Sequence, residues 1–113
     1  MNMSPAECKC LRESMGLTTK WLAGRWGVAE YSVKRWERDR RVPDDLAADL
    51  TGLRNLFDRL VGEGVDERAD AIPVPRVDAE SPDDKPAAWH RIIAQRISEQ
   101  TDGRILYYAD ADQ

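Results

Sequence analysis

The stretch that most constrains the fold is Leu17–Pro43, LTTKWLAGRWGVAEYSVKRWERDRRVP. Its apolar positions recur at helical spacing in two short runs, with a glycine between them. Thr18 suits an N-cap, and Leu17 before it suits a staple. Trp21, Leu22, Ala23 and Trp26 predict a helix closed by Gly27, with Val28 plugging the turn. A second helix is predicted from Glu30 to Arg38, with Val33 and Trp36 inward and Tyr31, Lys34 and Arg35 outward. Ala29 stands where Ser or Thr would cap better. Arg38-Asp39-Arg40-Arg41 then forms a basic exit, and Val42-Pro43 marks a boundary.

Net charge is −4 over 113 residues, which at first sight argues against nucleic acid. The distribution reverses that argument. Residues 1–43 carry nine Lys/Arg against five Asp/Glu, and residues 44–113 carry eight against sixteen. A basic head on an acidic body steers one face toward phosphates while the rest keeps the chain dispersed. With 34% charged residues and no apolar run near the roughly 18–20 needed to span a bilayer, a soluble protein is expected. The opening MNMSPAECKC lacks the apolar core of a signal peptide, so the expected compartment is the cytoplasm.

The flanks extend the helical pattern. Ser4-Pro5-Ala6-Glu7 predicts a capping box, Cys8, Leu11 and Met15 an apolar stripe, and Gly16 a left-handed end. Asp44, Asp45 and Asp49 favour the start of a fourth helix by its dipole. Leu46, Leu50, Leu53, Phe57 and Leu60 carry it for about five turns, to Gly62 or Gly64. Val65–Pro86 holds four prolines and seven Asp/Glu, with a short strand predicted over Ala71–Val77 that its prolines confine to an edge. Ala87–Gln100 predicts a helix and Arg104–Tyr108 a strand, with a frayed tail after it. The expected fold is therefore mainly α with a small α+β C-terminal part. Its domains are residues 1–64, a connector at 65–86, and a strand–helix–strand dimerisation region completed at 87–113. That region is too small to stand alone, so Trp89, Ile92, Ile93, Ile97, Ile105 and Tyr107 are expected at the seam with a second copy.

Chemistry is sparse. Cys8, Cys10 and His90 cannot supply four zinc ligands, and Cys residues two apart on a helix point in different directions, against a disulfide. His90 is expected at the surface or an interface. Asp44/Asp45 and Asp83/Asp84 do not converge as acid and base, and no phosphate loop or nucleophile set is present. No catalysis, metal or cofactor is expected.

Leu17, Thr18, Leu22, Ala23, Gly27, Val28, Val33, Trp36, Glu37 and Pro43 fall, without a gap, on the pattern of the Cro/cI-type (XRE) repressors. The chain resembles the helix-turn-helix domain of that family across Leu17–Pro43. It departs at Ala29, where serine is usual, and at Asp39, where glycine is usual. Trp36–Leu46, the long helix after it and a C-terminal part with a tryptophan helix and a tyrosine pair look like the anti-CRISPR-associated repressors and their YdiL-like relatives. The resemblance implies an Arg12–Glu37 pair. It also implies a homodimer on an inverted repeat, repressing its own operon.

In such a domain the second helix of the motif enters the major groove. Arg35 or Lys34 can donate to guanine, Glu30 can accept from cytosine N4, and the Tyr31 ring can meet a thymine methyl. Glu30 alternatively repels phosphates at wrong sites. Thr19, Lys20, Arg38, Arg40 and Arg41 are placed for phosphates. Trp26 and Trp36 are expected in the core, whereas Trp21 packs either on the first helix or against the DNA backbone. The competing reading is an antitoxin-like or adaptor protein whose acidic half, unfolded alone, captures a protein partner.

Overall fold

The computed structural model describes residues 2–111. They fold as α1 (Pro5–Ser14), α2 (Thr19–Trp26), α3 (Glu30–Trp36), α4 (Asp44–Glu67), β1 (Ala71–Val74), α5 (Ala87–Ser98) and β2 (Arg104–Tyr107). Single 3-10 turns at Asp78–Glu80 and Tyr108–Asp110 complete the order. The chain is mainly helical, with one small parallel sheet near the C-terminus. No helix among the described residues is long and apolar enough to cross a membrane.

Contacts divide the chain into two compact units, the first ending at Asn55 and the second beginning at Leu56. That division falls inside α4, not at residue 64 where the glycines suggested a break.

In the first unit, Ser4 caps α1, and its hydroxyl accepts from the Glu7 N–H at 3.1 Å while Glu7 accepts from the Ser4 N–H at 2.9 Å. This is the capping box the sequence predicts. The Thr18 hydroxyl likewise accepts from the Trp21 N–H at 2.9 Å to open α2. Cys8, Met15, Leu17, Leu22, Val33, Ala47 and Leu50 are fully or almost fully buried and form the core. Trp26 and Trp36, expected there, are only half-buried, 6.2 Å apart in a tilted pair.

The second unit is built around Trp89, fully buried and set edge-on to Phe57 at 5.3 Å, with Val74, Ala87, Ile93, Ala94 and Ile97 about it. Its strands run parallel, Ala71 opposite Arg104 and Val74 opposite Tyr107. A parallel pair needs a crossover, and α5 supplies it. Pro73 is tolerated because each strand of a two-stranded sheet has one open edge.

Helix α4 is longer than its sequence suggests, since it passes through both Gly62 and Gly64 to Glu67. It ends instead at Arg68, which adopts φ 50°. Gly64 is there for proximity: a Cβ at that position would collide with Ile97 Cδ1 on α5. The acidic connector is held by its own carboxylates. Asp78 Oδ1 accepts from the Ala87 N–H at 2.8 Å, serving α5 in place of a cap that Pro86 cannot give. Glu80 accepts from the Arg76 N–H at 2.7 Å, and Arg91 donates to the carbonyls of Pro75 and Arg76. Tyr108, expected in the strand, joins Ala109 and Asp110 of the tail expected to fray in a single turn, and residues 112 and 113 lie outside the described residues.

Candidate nucleic-acid interface

The turn between α2 and α3 depends on Gly27 at φ 65°, a left-handed conformation that costs other L-residues energy. Its N–H and that of Val28 both return to the Ala23 carbonyl, the latter at 3.0 Å. Ala29 opens α3 with no side-chain hydrogen bond, as its methyl group requires. Helix α3 ends at Trp36, two residues before the expected Arg38. Asp39 does not take the left-handed backbone that a glycine there would suggest, since Arg68 is the only non-glycine with positive φ among the described residues. The N–H groups of Arg38, Asp39 and Arg40 turn back to the Arg35 carbonyl at 3.0–3.1 Å, so the exit closes without it.

One largely buried clamp fixes this exit. Arg12 of α1 meets Glu37 through two bonds, Nε to Oε2 at 2.6 Å and Nη2 to Oε1 at 2.9 Å, while Nη1 donates to the Leu17 carbonyl at 2.8 Å. The two side chains are only 12% and 6% exposed. The hydrogen bonds to Glu37 hold the Arg12 guanidinium above its ordinary pKa, against the opposing effect of burial. A second clamp joins α2 to α4: Arg25 pairs with Asp49 at 2.8 and 3.0 Å, and Trp26 Nε1 donates to the same carboxylate at 2.8 Å. Asp49 therefore serves chiefly as a partner for α2 rather than for the dipole of its own helix. Trp21 is half-buried, with the Arg25 guanidinium 5.8 Å from its ring.

The residues expected to read bases share α3. Tyr31 is 62% exposed, and the Arg35 guanidinium carbon lies 5.8 Å from its ring centroid. Arg35 is half-buried, and its Nε is shut away from solvent without a hydrogen-bond partner. Glu30 accepts from the Thr19 hydroxyl at 2.7 Å and pairs with Lys34 at 3.8 Å. The bond from Thr19 is the main reason its carboxyl sits below the usual range. Thr19, expected at a phosphate, thus commits its hydroxyl hydrogen bond to Glu30.

The remaining cations lie at the surface. Lys20 and Arg40 are exposed, Arg38 pairs with Asp39 at 3.2 Å, and Arg41 donates to the Asn2 side chain. Bonding to Asp39, and secondarily to the Tyr31 hydroxyl, raises the Arg38 pKa. A cleft of about 430 Å³ gathers Thr19, Lys34, Glu37 and Arg38 with Arg12 and Lys9. Lys9 was missed from sequence. Its spacing of three from Arg12 puts both on one helix face, which is the signal that would have found it.

The expected seam residues divide. Trp89, Ile93 and Ile97 are buried within the second unit, because Phe57 and the close approach at Gly64 already cover them. Their assignment to a seam with another copy is corrected accordingly. Ile92 and Ile105 are half-buried and Tyr107 is exposed, with Arg76 4.5 Å over its ring. His90 is mostly covered and lies 2.9 Å from Asp83. Cys8 is buried and Cys10 exposed, both as free thiols. No protein-family model matches the chain, and no curated protein matches it.

Proposed function

We propose that the chain is a sequence-specific DNA-binding transcriptional repressor of the Cro/cI (XRE) type, similar to the anti-CRISPR-associated and YdiL-like regulators. In this reading α2, Gly27 and α3 are the helix-turn-helix, and α3 enters the major groove. The observation that carries it is the face made by α3 and its exit. Tyr31, Lys34 and Arg35 project from one short helix, Arg38, Arg40 and Lys20 flank it, and a buried Arg12–Glu37 clamp holds the helix end rigid. Rigid elements are what precise base reading requires. The exposed cations supply salt-dependent affinity for phosphates, and the α3 side chains supply discrimination.

The protein acts as a homodimer in the cytoplasm, binding an inverted repeat and repressing its own operon. Half-sites then lie about 10 bp apart, centre to centre, or a multiple of that. Ile92, Ile105 and Tyr107 are the expected seam residues still at the surface. A disordered acidic half awaiting a protein partner has less support, because residues 71–107 pack a core around Trp89. Selection from random duplex DNA with the purified protein tests the proposal. A palindromic winner supports it, and the absence of any enriched sequence overturns it.

A further inference from the structure

Tyr31 and Arg35 lie one helical turn apart on α3; the Tyr31 hydroxyl engages Arg38 while its ring stays exposed, and Arg35 differs from the charged residues around it. Glu30 and Lys34 pair with each other, Arg38 with Asp39 and Glu37 with Arg12. Among the described residues Arg35 has no carboxylate partner, and its Nε is buried unbonded. Leaving a buried donor unpaired is costly, and here it accompanies a guanidinium that no carboxylate among the described residues holds. Its guanidinium rests beside the Tyr31 ring, 5.8 Å from centroid to carbon, which restrains it before any ligand arrives. Tyr31 is the most exposed of the large hydrophobic side chains among the described residues.

We propose that Tyr31 and Arg35 act as one unit that reads a guanine with a 5-methylpyrimidine beside it. The inference rests on α3 entering the major groove. A guanidinium fork donates to guanine O6 and N7. The C5 position of the adjoining pyrimidine faces the same groove, about 3.4 Å along the strand. An exposed aromatic ring next to the fork is placed to cover a methyl group there. Thymine and 5-methylcytosine carry that methyl, whereas uracil and cytosine do not. The feature recognised is thus the methyl together with the guanine edge, not the hydrogen-bonding edge of thymine.

The test uses the full chain and the site it selects from random duplexes. Each pyrimidine beside a guanine is replaced in turn, and affinity is read by fluorescence anisotropy. Replacing thymine by deoxyuridine should weaken binding about 4-fold, the worth of one buried methyl. A 5-methylcytosine–guanine pair should bind about 4-fold tighter than cytosine–guanine at the same place. Tyr31→Ala should erase both ratios, and Tyr31→Phe should retain them. Arg35→Lys, which keeps the charge without the fork, should lose about 5- to 150-fold of the preference for guanine. A selected site lacking a pyrimidine–guanine step, or methyl ratios unchanged in Tyr31→Ala, would overturn the inference while leaving the DNA-binding reading intact. Failure to select or bind any duplex would overturn both.

Discussion

Glu37→Ala removes one half of the clamp between α1 and the end of α3. The guanidinium of Arg12, 12% exposed, would lose two bonds of 2.6 and 2.9 Å and keep only the one to the Leu17 carbonyl. Breaking a buried pair by deleting one partner costs about 3–5 kcal/mol, because the other charge stays desolvated. The residual bond to Leu17 places the expected loss near the lower end, about 3 kcal/mol. For a chain of this size each kcal/mol moves the melting midpoint by about 4 °C, so a drop of about 12 °C is expected. Arg12→Met/Glu37→Leu leaves no charge behind and should lie within about 1 kcal/mol of the parent. Far-UV circular dichroism on melting and in urea reads both. A loss below about 1 kcal/mol for Glu37→Ala would refute the reasoning, since that is how an exposed surface pair behaves.

Three further outcomes follow from the same structure. Gly62→Ala should stabilise α4 by about 1 kcal/mol, since nothing lies within 4 Å of the added methyl. Gly64→Ala should cost about 1–3 kcal/mol through its clash with Ile97, and urea unfolding compares the two. At pH 8 a thiol reagent should modify one cysteine per native chain, Cys10. Burial holds Cys8 as a thiol with its pKa raised to about 11, and urea should release the second equivalent. The bonds from Arg25, and then from Trp26, hold the Asp49 carboxyl below its ordinary 3.8. Because the folded value is depressed, its contribution is fully present above that ordinary value and lost as pH falls through the folded one. Asp49→Asn should therefore flatten acid unfolding below about pH 4, as followed by circular dichroism.

The elements most legible in the sequence were those whose signals are local. Ser4 and Glu7 specify a capping box by themselves, and Thr18 and Gly27 mark the limits of α2 without help from distant residues. Both strands and α5 were also within reach, although β1 stops at Val74 rather than Val77, α5 at Ser98 rather than Gln100 and β2 at Tyr107 rather than Tyr108. What failed depended on tertiary neighbours. Gly64 reads as a helix stop until Ile97 is known to press against it. Trp89, Ile93 and Ile97 read as a seam because no sequence pattern shows that the far half of α4, with Phe57 and Gly64, packs on α5 within one chain. In the candidate interface the outward phase of Tyr31 and Lys34 was legible, but the bond between Thr19 and Glu30 was not. Residues eleven apart on different helices meet only once the turn at Gly27 is made.

Specificity is read most directly as the ratio of affinities for the selected duplex and a shuffled duplex of equal length at two salt concentrations. A repressor that reads bases through α3 should bind the selected site at least about 10³-fold tighter, with both affinities falling steeply as salt rises. Equal affinities for the two duplexes at both salt concentrations would contradict this reading, leaving the basic face as an electrostatic surface that reads no sequence.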